Sequence, residues 1–163
     1  MAASTERPIA GKGESPESLL RTESNATYFK ELESRMALCS GTRRSNCIGT
    51  ALYLTCEEKE DVPISGLWAH DYISYLKQTD KPVKGCLISW ELQLKDATLI
   101  SHMGVVTSTE PLLITHRAGP GSEVVENMSF SEMSWYSVDG SYKPVFYLPK
   151  MLDDPTQLDG TIR

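Results

Sequence analysis

A chain of 163 residues with 40% hydrophobic and 23% charged residues has the balance of one globular domain, long enough to bury a core without disulfide or metal staples. Its formal net charge of −6 argues against nucleic acid or an anionic membrane as the main partner, since both select a basic face and Arg43-Arg44 is too short to make one. No apolar run near the start has signal-peptide length, and none reaches the roughly 18 residues of a membrane span. The expectation is therefore a cytoplasmic protein, or one exported by a route without a classical signal peptide.

In chain order, residues 1–23 are rich in Gly, Pro, Ser, Thr and Glu and read as a flexible N-terminal arm. Residues 24–152 read as the folded domain, and the polar residues 153–163 as a loose tail. Phe29, Leu32 and Met36 recur at three and four residues and predict an amphipathic helix over 27–38. A polar stretch follows, with Gly41 as breaker and Ser45 or Asn46 as N-cap. Residues 47–54 are apolar nearly all round and predict a buried helix, which ends in a charged run over 57–61 expected to be a solvated loop. A second helix is predicted over 67–78, with Trp68, Tyr72, Ile73 and Leu76 on one face and both aromatics in the core.

Beyond Pro82 and Gly85 the pattern turns to strands, at 86–92, 98–106 and 111–115. Gly119-Pro120-Gly121 is a turn, 123–125 a short strand, and 143–148 the closing strand. Helices first and strands afterwards predict an α+β fold, with N-terminal helices packed on a mainly antiparallel sheet.

Four cysteines (39, 47, 56, 86) and three histidines (70, 102, 116) show no zinc-finger spacing, so neither a metal nor a cofactor is expected. A thiol becomes a nucleophile as thiolate, which the positive end of a helix and a nearby imidazole both favour. Cys47 sits just inside the predicted N-cap, where free backbone N–H groups can also hold an oxyanion. His102 lies on a predicted strand and His116 just after the next one. If those strands are neighbours, one imidazole can take the proton while the other fixes its tautomer. Pairing alone decides little, because any of four cysteines could be matched with any of three histidines. The local wording carries more.

That wording is Asn46-Cys47-Ile48-Gly49 at a helix start, Gly85-Cys86-Leu87 opening a strand, Ser101-His102-Met103-Gly104-Val105-Val106 on a strand, and His116-Arg117-Ala118-Gly119 at a strand end. In order, spacing and element type it resembles the NlpC/P60 family of papain-like cysteine peptidases and amidases, over roughly residues 27–148. The resemblance implies a papain-like fold with the nucleophile at a helix N-terminus. It makes Cys47 the nucleophile, His102 the base and His116 the orienting third member, and it places Asn46 and Ser101 with the substrate. Three positions depart from the family's pattern. Asn46 stands where it has an acidic residue, Ile48 where it has Ser, and Cys86 where it has Asp. Cys39-Ser40-Gly41 copies the family's Cys-Ser-Gly more literally, but a polar stretch follows it and no apolar helix. Cys56 and Cys86 read as small apolar filler, and His70 as a surface residue beside Asp71.

The implied function is a cysteine hydrolase that cleaves an amide or peptide bond through an acyl-enzyme, with a bacterial cell-wall stem peptide as substrate. The alternatives are a papain-like amidase, deamidase or acyltransferase acting on a protein or lipid, or a non-catalytic binding module on the same scaffold. A peptide or muropeptide is the expected partner, with an immunity-type protein beside it if the chain is secreted as an effector.

Overall fold

The computed structural model describes residues 16–152, with side chains from residue 25 onward; the expected loose tail and the first fifteen residues of the expected arm lie outside it. The first element, α1 (Pro16–Cys39), begins eleven residues earlier than its apolar spacing indicates, so residues 16–23 of the expected arm form its opening turns. Pro16 suits the first helical position, where a missing N–H costs nothing. Tyr28, Leu32 and Cys39 are its buried residues, while Phe29 and Met36 are only partly covered. The Tyr28 hydroxyl donates to the Gly85 carbonyl at 2.7 Å. Gly85 has φ +91°, and a Cβ there would lie 2.9 Å from the Tyr28 ring, so both the backbone and the close approach require glycine.

Asn46 starts α2 (Cys47–Leu54), its Oδ1 accepting the Gly49 N–H at 2.8 Å. All of α2 except Tyr53 is buried. Gly49 permits this: a Cβ there would stand 1.7 Å from the Val62 carbonyl oxygen. At its far end Arg35 of α1 donates to the carbonyls of Tyr53 and Glu58, both at 2.8 Å, which joins the two helices.

The predicted second helix shrinks to α3 (Ala69–Ile73), and β1 (Lys77–Thr79) follows where helix was expected. Ala69, Ile73 and Leu76 carry the burial, whereas Trp68 is 63% and Tyr72 36% exposed, so neither aromatic is core. Spacing alone suggested a stripe; Ser74 instead ends the helix and Lys77 pairs at a sheet edge. The other strands are β2 (Leu87–Gln93), β3 (Thr98–Thr109), β4 (Leu112–Arg117), β5 (Val124–Ser129) and β6 (Lys143–Leu148). The short strand expected at 123–125 runs on to Ser129 because Ser129 and Met128 still find partners on β4, at Leu113 and Ile114.

These elements make an α+β architecture with a six-stranded antiparallel sheet in the order β1-β6-β2-β3-β4-β5. Among the described residues, no helix is long and apolar enough to cross a membrane.

One buried cation ties the helices to the sheet. Arg117, at the end of β4, is fully buried and uses all five of its N–H donors. Its Nε donates to Thr50 of α2 at 2.8 Å, and its two terminal nitrogens reach Thr42, the Ser122 carbonyl and, at 3.0 Å, the Asp61 carboxylate. Thr50 in turn donates to the other Asp61 oxygen at 2.7 Å. The charged run at 57–61 is a loop as expected, but its last residue is an internal anchor and not solvated. Removing one member of such a pair strands the other charge. Arg117→Ala is therefore expected to lower the unfolding free energy by about 3–5 kcal/mol, read from urea denaturation. Adding Asp61→Ala should return part of the loss, since no orphan carboxylate then remains.

Candidate functional site

Cys47 is the first residue of α2, with its thiol buried beside the backbone amides of Ile48, of Met103 and of Cys47 itself. Met103 follows His102 on β3, so the helix start meets the sheet at the histidine's own strand. His102 and His116 sit diagonally on the paired strands β3 and β4. Gly104 makes room for this pairing, because a Cβ there would lie 3.2 Å from the His116 Cβ and 2.7 Å from Ile114. Both imidazoles are buried, and His102 Nε2 lies 2.9 Å from His116 Nδ1. With His102 Nε2–H as donor, His116 Nδ1 accepts, and the His116 Nε2–H faces the Met128 sulfur at 3.3 Å. His102 Nδ1 is then the ring nitrogen free to take a proton. Of the three residues singled out from sequence, His102 and His116 are thus in direct contact, and the Cys47 thiol lies against the backbone amide of Met103, the residue after His102.

The electrostatics differ from the sequence expectation. Burial pushes the Cys47 thiol up, against the lowering pull of the Met103, Ile48 and Cys47 amides. Burial also holds His102 down to about 2, helped by His116, and His116 down to about 4, opposed by the Arg117 backbone. A helix start alone would favour a thiolate, but here desolvation outweighs it. The resting site is a neutral thiol beside neutral imidazoles.

Asn46 and Ser101 are engaged within the protein. The Asn46 side chain accepts from Gly49 and from the Ile64 N–H and donates to the Ile64 carbonyl at 2.8 Å, and so holds the helix start to the loop after Asp61. Ser101 Oγ donates to the Tyr136 carbonyl at 2.6 Å. Cys39 ends α1 with its thiol raised to about 11 by burial, in a cleft lined by Arg44, Tyr53, Lys59 and Asp61 that includes neither Cys47 nor a histidine. Cys86, raised to about 12, is fully buried at the head of β2. His70 is partly exposed on α3. Among the described residues, no group of three or more His, Cys, Asp and Glu side chains is placed to hold a metal.

The sequence reading missed the aromatic wall. Tyr136, in the short turn Ser134–Ser137, lies flat on His102 with ring centroids 3.5 Å apart and planes 9° from parallel. Trp90 of β2 stands against His102 at 5.5 Å and stacks on Phe130 at 6.1 Å. Burial, then the nearby Cys47 thiolate, push the Tyr136 hydroxyl up, which puts thiol, tyrosine and imidazole in one cluster. The available signal was the aromatic density of residues 130–136 between two strands.

In comparisons with protein-family models, curated proteins and solved structures, none matches the chain.

The buried histidines make stability depend on pH. Unfolded, they titrate near the ordinary 6.5; folded, at about 2 and about 4. Below 6.5 the unfolded chain takes up protons that the folded chain refuses, so the contribution is complete above that value and falls as the pH drops. The melting temperature is expected to decline between about pH 6.5 and 5, ahead of most carboxylates. In a His102→Gln/His116→Gln variant the same interval should be nearly flat.

Proposed function

We propose that this protein is a papain-like cysteine hydrolase of the NlpC/P60 type, acting on an amide bond through an acyl-enzyme. The observation that carries the reading is the Cys47 thiol at a helix start, one residue from the strand position of His102, whose far nitrogen is bonded to His116. Helices preceding an antiparallel sheet, with the thiol on the helix and the imidazoles on the strands, support the same assignment.

In this reading the substrate carbonyl enters beside the α2 start and Cys47 Sγ attacks its carbon. His102 Nδ1 takes the thiol proton as the C–S bond forms, and His116 accepts the hydrogen bond that steadies the developing imidazolium. Backbone N–H groups at the helix start hold the oxyanion. Collapse of the tetrahedral adduct breaks the C–N bond, and His102 returns the proton to the leaving amine. Water, deprotonated by His102, then releases the acid from Cys47. Because thiol and imidazole rest neutral, the proton moves with the attack and no ion pair precedes it.

A wall stem peptide is the first substrate to test. An amide outside the wall is the second, and two observations favour it. Asn46, which replaces the acidic residue at the substrate edge, carries no charge, and its side-chain oxygen is engaged within the protein. Leu67 and Trp68 are exposed beside Gly66, which bonds Ile100 of β3, and Trp135 is exposed beside Tyr136, so the borders of the site are apolar.

Mass spectrometry of muropeptides and of a panel of peptide and acyl amides, each incubated with the protein, decides between them. On whichever amide is cut, Cys47→Ala and His102→Ala are each expected to lose activity by about a thousandfold or more. His116→Asn should retain measurable turnover, and His116→Ala less. Full activity in Cys47→Ala would end the reading.

A further inference from the structure

Cys47 and His102 are too well covered for a substrate to reach them as the chain stands. Cys47 is 9% exposed and His102 1%. What lies on the imidazole is Tyr136, held by the ring stack, edge contacts to Trp90 and His116 at 5.8 Å each, a hydrogen bond from Ser101 Oγ to its carbonyl, its own N–H to the Met133 carbonyl at 3.1 Å, and a long 3.3 Å bond from its hydroxyl to the Ala118 carbonyl. On one side the segment is anchored by buried Met133. On the other it runs into three successive residues with positive φ, Val138 (+50°), Asp139 (+59°) and Gly140 (+84°). A β-branched residue seldom adopts that conformation. Between anchor and strained run, Trp135 offers 83% of its surface to solvent.

We propose that Tyr136 is a positioning residue for His102 and the latch of a cover, residues 134–140, that the substrate must lift to reach Cys47. The inference rests on the reading that Cys47 and His102 form the reacting pair. Closed, the stack fixes the plane of the imidazole and keeps water from it. Open, the cover swings between Met133 and the Val138–Gly140 run, bares the thiol, and turns Trp135 into a wall for the apolar part of the substrate. The titratable groups around His102 are Cys47 on α2, His116 on β4 and Tyr136 itself; lifting Tyr136 admits water to all of them.

The test is the rate of Cys47 alkylation by iodoacetamide, followed by peptide mapping in the full chain, with fully buried Cys86 as the internal report of global opening. Tyr136→Ala is expected to speed Cys47 labelling about three- to tenfold, the range by which losing one ring stack shifts a local opening equilibrium. Cys86 should stay at its original rate. Tyr136→Phe keeps the stack and should remain within about twofold of the parent. The pH profile separates positioning from mere support. In the parent, labelling should rise only in alkali. In Tyr136→Ala the hydrated His102 should yield reactivity near about pH 6–7 that a further His102→Ala removes.

Unchanged Cys47 labelling in Tyr136→Ala, or Cys86 rising in step with it, would overturn the proposal. Should that variant fail to fold, Ser101→Ala cuts only the tether and is expected to speed Cys47 labelling about twofold; no change there overturns it as well. Labelling needs no substrate, so this result fails separately from the hydrolase reading, which the amide panel decides.

Discussion

The guanidinium of Arg117 is the constraint on which the arrangement depends. It sits next in sequence to His116, yet its five donors reach the segment after α1, the middle of α2, the loop before Val62 and the turn after β4. One residue therefore fixes where the helix lies relative to the strand that carries the second imidazole. A buried cation costs desolvation, and only a complete set of acceptors offsets it. The acceptors come from four residues in four segments of the chain, Thr42, Thr50, Asp61 and Ser122, so the network forms only when those segments are all in place. The register of α2 against β4, and with it the position of Cys47, follows.

Burial sets the chemical character of the site in the same way. Thiol and imidazoles are each shifted toward their neutral forms by loss of water, more strongly than the neighbouring amides can oppose. A neutral pair in a dry cluster is quiet toward small electrophiles in solution. Under the proposed hydrolase reading, reactivity would arise in the complex with a substrate that brings its own dipole to the helix start, more than in the free protein.

Much of this was legible along the chain where the cause is local. The span of α2 and its Asn46 cap follow from one capping residue ahead of an apolar run, and the closing strand at 143–148 from the continuous run Val145-Phe146-Tyr147-Leu148. Cys47, His102 and His116 are proposed from local wording that resembles a family pattern, and the structure puts Cys47 at the helix start and the two histidines on neighbouring strands. Tyr136 and Arg117 could not be named in that way, because what they do depends on partners far away in sequence, at Ser101, His102, Thr50 and Asp61. The helix expected at 67–78 failed for a related reason. Trp68 and Tyr72 match helical spacing, but the burial falls on Ala69, Ile73 and Leu76, and Lys77 is drawn into the sheet by β6. Pro16 lies in a stretch whose composition reads as a loose arm, although proline is also a good opening residue for a helix.

The strand order has a consequence for how the chain comes together during synthesis. Strands β2 to β5 form a meander of sequential neighbours, closed by contacts between residues not far apart. β1 has no sheet partner until β6 arrives, pairing Lys77 with Leu148 and Leu87 with Tyr147. Since β6 lies between β1 and β2, the nascent chain carries an open β2 edge until β6 leaves the ribosome. Such an edge is a template for intermolecular pairing. The sheet is thus completed last at the side away from the histidines, and a chain stalled before Lys143 would hold its imidazole strands in place while remaining adhesive at the other end.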